Sequence, residues 1–170
     1  PHADFSQQDV QRDFSLALEH IVPLLGQTHS YPVPTLKPWL GPELISTNPS
    51  FPDQIIAKFP TLSPDQLDPI VHIAHDHMGT WAKVPPQARA RMLFHAAWLM
   101  RQRKPELAAW EILETGKPWR EADADVAEAI DFLEFYGREM IRLGTPERLG
   151  AEPGEYNQRI FQPRGLAVVI

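Results

Sequence analysis

The chain has 170 residues, 43% of them hydrophobic, with a formal net charge of -6 and no cysteine. That length and apolar share support one domain with a sizeable core, and the acidic balance argues against a nucleic-acid partner, because phosphate binding needs clustered Lys and Arg. The absence of cysteine excludes disulfides, thiolate zinc sites and cysteine nucleophiles within these residues. No apolar run approaches the roughly 18 residues that span a bilayer, and Pro1-His2-Ala3-Asp4 carries no charged and apolar leader, so the expectation is a soluble cytoplasmic protein with no membrane partner.

The elements follow from periodicity and from 18 unevenly spread prolines. Gln8 to Leu25 places Val10, Phe14, Leu16, Leu18, Ile21 and Val22 at helical spacing and is closed by Pro23 and Gly26. From Tyr31 to Pro60, prolines at 32, 34, 38, 42, 49, 52 and 60 forbid a long helix and leave short strands such as residues 54–59 between turns. Ser63-Pro64-Asp65-Gln66 is a helix start, with a cap, a first-turn proline and a capping-box glutamine. Leu67, Val71, Ala74, Met78 and Trp81 then form a stripe that predicts one inward face. Pro86 opens a second helix reaching Arg103, with Met92, Ala96, Leu99 and Met100 expected inward and Arg89, Arg91 and Arg101 outward. Pro105 opens a third that Gly116 ends. A fourth, from about Pro118 to Leu143, buries Val126, Ile130, Leu133, Gly137, Met140 and Ile141.

That fourth helix carries the chemical clue. On a wheel, Glu128, Phe132, Phe135 and Glu139 fall opposite the aliphatic stripe, and a solvated face rarely holds two phenylalanines. Two readings stand: a helix packed on two sides with Glu128 paired to a cation, or a carboxylate beside aromatic walls that receives a substrate ammonium group. His72, His75, Asp76 and His77 include metal-ligand spacings of three and four, against which stands a plain solvated face, and no metal site is assigned. Glu121, Asp123 and Asp125 crowd the first turns of a helix, where unpaired amides and the dipole favour carboxylates. Gly144, Gly150, Gly154 and Gly165 match no nucleotide-binding loop, so no cofactor-binding residue is assigned within the chain.

Four segments together resemble the aldehyde dehydrogenases: Arg89-Ala90-Arg91 before an amphipathic helix, Glu114-Thr115-Gly116-Lys117-Pro118, Ala127 to Tyr136, and Gln162-Pro163-Arg164-Gly165-Leu166 to Ile170. Their order and spacing agree from about Asn48-Pro49 to the end, whereas residues 1–46 match loosely. Within that superfamily, Gly116-Lys117-Pro118-Trp119 followed by the acidic run Glu121 to Glu128 looks most like the dehydrogenases of L-glutamate γ-semialdehyde (1-pyrroline-5-carboxylate), which act in proline breakdown.

The resemblance implies an α/β fold with a Rossmann-type NAD-binding domain, a catalytic domain and an oligomerisation arm. This chain would hold the mostly helical N-terminal part: residues 1–46 a helix and proline-rich lead-in, 47–146 the helical part of the NAD-binding domain, 147–163 the arm that joins a neighbouring copy into a homo-oligomer, and 164–170 the first strand of the Rossmann-type sheet. A chain stopping at Val168-Val169-Ile170 stops inside that strand, so the expectation is that the polypeptide continues. In the family a thiolate attacks the aldehyde, hydride passes to NAD and an activated water releases the acid. The nucleophilic Cys, the general-base Glu, the oxyanion Asn and the glycine-bearing cofactor loop have no counterpart here, so no catalytic residue is assigned and the segment alone is expected to be inactive. Carried over from the family are Glu128, as the contact for the substrate's α-ammonium group, and Phe132, lining the same tunnel. Two alternatives remain: an aldehyde dehydrogenase of other substrate preference, and a non-catalytic helical module for oligomerisation or regulation.

Overall fold

The computed structural model describes residues 2–30 and 41–168. The prolines at 32, 34 and 38, and the last two residues of the expected 164–170 strand, lie outside them. The element order is α1 (Gln8–Ile21), a 3-10 turn (Val22–Leu24), β1 (Leu44–Asn48), β2 (Phe51–Phe59), a 3-10 turn (Pro64–Gln66), α2 (Leu67–Ala82), α3 (Pro86–Gln102), α4 (Lys104–Thr115), α5 (Trp119–Leu143), β3 (Glu147–Arg148) and β4 (Gln158–Arg159). The chain divides into two compact units, the first made of Pro1–Leu67 and Met100–Ala129, the second of Asp68–Leu99 and Ile130–Ile170.

In the first unit α1 packs on α4, and α4 carries β1. β1 and β2 form an antiparallel ribbon, with Leu44 opposite Phe59 and Ser46 opposite Ala57, and the register slips on either side of Thr47. Its turn is fixed by Asn48, whose Oδ1 accepts the Ser50 N–H at 2.9 Å while its Nδ2 donates to Gln54 Oε1 at 2.8 Å. These side-chain bonds satisfy an amide that is almost fully buried. Beyond β2, the His29 N–H bonds the Lys58 carbonyl and the Lys58 N–H bonds the Gln27 carbonyl. A short extended piece therefore lies beside the ribbon. Phe14, Ile21, Ile56, Ala108, Ala109, Ala122 and Val126 fill the core. Full burial of Ile21 or Ile56 contributes about 2 kcal/mol each. Phe14 is flanked by Phe5, edge-on at 4.8 Å, and by Trp119, stacked at 5.8 Å.

α4 ends as its sequence predicts. Gly116 takes a left-handed φ of 74° and its N–H returns to the Ile112 carbonyl. The Ser63 N–H donates to Gln66 Oε1 at 3.1 Å, half of the predicted capping box, and the 3-10 turn it opens runs directly into α2.

In the second unit the portions of α3 and α5 meet where Phe94 lies over Gly137: a Cβ at position 137 would overlap the Phe94 ring. The Arg138 guanidinium sits 5.6 Å from the same ring. β3 and β4 form a short hairpin with Glu147 opposite Arg159, and those two side chains pair. Residues 164–168 carry no strand pairing among the described residues.

Two expected faces are corrected. On α3 the buried residues are Ala90 and Ala97, while Met92 and Leu99 are exposed. The inward face is turned toward Ala90-Phe94-Ala97, because two alanines and a phenylalanine seated over glycine pack closer than a stripe of methionine and leucine would. On α2 the stripe Leu67-Val71-Trp81 is about half exposed, and no α2 residue is buried. The physical reason is that its apolar spacing had no covering partner guaranteed by the pattern alone.

Gly137→Val forces a branched side chain into the space of the Phe94 ring and should cost about 2 kcal/mol. Chemical denaturation is expected to show this loss with an unchanged m-value.

Candidate functional site

α5 presents two different faces. On the inward one, Ala122, Asp123, Val126, Ala127 and Ile130 are buried. Glu128, Phe132, Phe135 and Tyr136 are exposed. Phe132 stacks on Tyr136, centroids 5.8 Å apart and planes within 11°, and Tyr136 meets Phe135 edge-on at 5.3 Å. Glu128 stands one helical turn before Phe132 on the same helix. Among the described residues no cation is paired with Glu128. The reading in which a cation neutralises it therefore finds no partner there.

The acidic helix start is more specialised than its composition suggests. Asp123 is 1% exposed. Its Oδ1 lies 2.6 Å from Lys104 Nζ at the start of α4, and its Oδ2 accepts the Ala3 N–H at 2.8 Å, with His2 Nδ1 3.9 Å away. Removing one partner from such a pair leaves an uncompensated buried charge and costs about 3 to 5 kcal/mol. A helix-terminus explanation covers Glu121, but it missed this pair. The signal was present, because Asp123 shares the wheel position of Val126 and Ile130, three and seven residues on.

Asp125 belongs to a second group. Lys117, just past the Gly116 cap, donates to Asp125 and, at 2.8 Å, to Glu111 Oε1 on α4. Those bonds hold the Lys117 ammonium above the ordinary lysine range, the Asp125 bond contributing most. The same bond holds the Asp125 carboxyl below its usual range. Glu111 moves the other way, raised chiefly by burial against the opposing pull of Lys117.

The histidines of α2 turn to their own backbone: His72 Nδ1 lies 2.8 Å from the Asp68 carbonyl oxygen and His77 Nδ1 2.8 Å from that of Ile73. No three His, Cys, Asp or Glu side chains converge among the described residues. No helix of the described residues is long and apolar enough to cross a membrane.

A family model described as "Aldehyde dehydrogenase family" matches residues 40–170. The chain belongs to the aldehyde dehydrogenase family. Among curated relatives of this aldehyde dehydrogenase chain, the 1-pyrroline-5-carboxylate dehydrogenase of Bacillus pumilus (strain SAFR-032) is 35% identical over 170 residues, covering 100% of this chain and 33% of the relative. That of Geobacillus kaustophilus (strain HTA426) is 36% identical over the same span. The chain thus spans about a third of the length of the curated relatives it matches. Among solved structures, a 1-pyrroline-5-carboxylate dehydrogenase from Thermus with bound NAD superposes with a TM-score of 0.88 at 32% identity, covering 96% of this chain and 32% of that one. Proline utilization A from Bdellovibrio bacteriovorus gives 0.90 at 32%, over 96% and 17%. An NAD-dependent aldehyde dehydrogenase from Sinorhizobium meliloti gives 0.58 at 24% identity, over 64% and 22%, which is likeness of fold. The α/β aldehyde dehydrogenase fold expected from the sequence, with this chain as its mostly helical N-terminal part, is therefore the one observed.

The Lys117 group titrates with a defined sign. The depressed Asp125 carboxyl contributes stability that is present above the ordinary Asp value of about 3.9 and is lost as pH falls through its folded value. In Lys117→Met two carboxylates face each other without the ammonium, and acidification relieves their repulsion. The Tm gap between wild type and Lys117→Met should be widest near pH 7 and narrow as pH falls from about 5 to about 3; a gap independent of pH would sink this account.

Proposed function

We propose that this chain is the N-terminal portion of a cytoplasmic NAD-dependent dehydrogenase that oxidises L-glutamate γ-semialdehyde to L-glutamate in proline catabolism. The observation that carries the proposal is that all 170 residues align with 1-pyrroline-5-carboxylate dehydrogenases at 35 to 36% identity. Its superposition on the Thermus enzyme also far exceeds that on a more distant aldehyde dehydrogenase. Glu128 contacts the substrate's α-ammonium group: it is an exposed carboxylate with no cation of its own among the described residues. Phe132, half exposed one turn further along α5, lines the path of the substrate's methylene chain.

The residues do not fit NAD by themselves. Among the described elements no strand passes through a glycine-rich turn into a helix, since β2 leads to the Pro64 turn without a glycine. NAD is bound mainly by residues outside these 170. Residues 1–46 are the lead-in, 47–146 the helical part of the NAD-binding domain and 164–170 the opening of the first Rossmann-type strand. Residues 147–163 form the arm joining a second copy, which agrees with the exposure of Tyr156, Ile160 and Phe161 around the β3–β4 hairpin.

Glu128→Ala in the full-length enzyme should lower kcat/KM for glutamate semialdehyde about 10- to 100-fold more than for propanal, the loss of one charge-assisted hydrogen bond. Equal losses on the two aldehydes would refute the assignment. The separate 170-residue chain has no cysteine to attack an aldehyde and should form no NADH from glutamate semialdehyde; NADH formation above the blank would overturn that expectation.

A further inference from the structure

The first compact unit holds the N-terminal half of α5 by a buried carboxylate that the proposed chemistry does not use. We propose that Asp123, latched by Lys104 and by the N-terminal strap of residues 2–6, is a positioning residue that sets the rotation of α5 and so the placement of Glu128, and thereby the preference for amino-bearing aldehydes. This inference rests on the reading of Glu128 given above.

Four contacts carry it. Lys104 Nζ at 2.6 Å ties Asp123 to α4. The Ala3 N–H at 2.8 Å ties it to the strap. Phe5, in the strap, packs 4.8 Å from Phe14 of α1 and 6.1 Å from Trp119, the first residue of α5. The strap is braced in itself, because Asp4 Oδ1 accepts both the N–H and the hydroxyl of Ser6. Asp123 and Glu128 are five residues apart, which places them about 140° apart around the helix and about 7.5 Å apart along it. One is locked inward while the other faces out. A glutamate carboxylate stands about 7 Å from the helix axis, so a rotation of about 10° moves it by about 1 Å, enough to spoil a charge-assisted contact.

A purely structural role for Asp123 would lower stability and weaken all substrates alike. The positioning role alters discrimination, and the two separate in one set of assays on the full-length enzyme. Ala3→Pro removes the strap's N–H donor and also fixes the backbone at position 3, and Asp123→Asn keeps an acceptor for that N–H while removing the charge paired with Lys104. Both should raise KM for glutamate semialdehyde by about three- to tenfold, with kcat and the KM for propanal changing by less than about twofold. Ile21→Val, a small cavity in the same unit, provides the stability control: it should lower Tm and leave the ratio of the two kcat/KM values as in wild type. Parallel losses on both aldehydes in Ala3→Pro and Asp123→Asn, or an unchanged ratio in both, overturn the inference. Glu128→Ala distinguishes the levels. If it lowers the ratio while the two latch variants do not, the latch fails and the substrate contact stands; if Glu128→Ala leaves the ratio unchanged, the substrate contact fails and the latch falls with it.

Discussion

A carboxylate on the apolar stripe of α5 is the constraint around which the first unit is arranged. Asp123 is 1% exposed, and an isolated ionised carboxylate cannot be held there without a partner. The start of α4 and the chain before α1 must therefore come to it. Lys104 meets that need while its own side chain is only 16% exposed, and an apolar pair of similar volume could pack as stably. The contacts are directional: Lys104 Nζ meets Oδ1 and the Ala3 N–H meets Oδ2.

Elsewhere the packing depends on small residues. Ala90, Ala97, Ala108, Ala109 and Ala122 are all 0% exposed, and Gly137 admits the Phe94 ring. Helices touching through such residues approach closely and gain dispersion contacts, at the cost of tolerating little extra volume. The large apolar side chains are correspondingly displaced outward, with Met92, Trp98, Phe132, Phe135 and Tyr136 all half exposed.

Much of this was legible in the sequence because local rules and tertiary packing agree. Gly116 ends α4, Pro23 and Gly26 follow α1, and Val126, Ile130 and Gly137 of the expected α5 stripe are buried, whereas Leu133, Met140 and Ile141 are only partly so. What escaped did so for specific reasons. On α3 the apolar spacing points to Met92, Ala96, Leu99 and Met100, whereas burial selects Ala90 and Ala97, and alanines carry little hydrophobic weight in a periodicity argument. Composition places Asp123 with its acidic neighbours at a helix terminus, whereas its phase on the wheel sets it apart from Glu121. Residues 44–48 pair with β2 through the ladder of a tight hairpin that proline spacing alone does not specify. Glu128 stood out because two phenylalanines share its face, a property of the helix that needs no partner to be seen.

Lys117 adds a consequence for the chemistry of the chain's amines. Its ammonium is held between Asp125 and Glu111 and keeps its proton more tightly than a free lysine. Only an unprotonated amine attacks the carbonyl carbon of an acylating reagent or a reducing sugar. The clasp thus makes Lys117 a poor nucleophile. The residue that fastens the α4–α5 corner is by the same bonds shielded from the slow covalent ageing that surface lysines undergo.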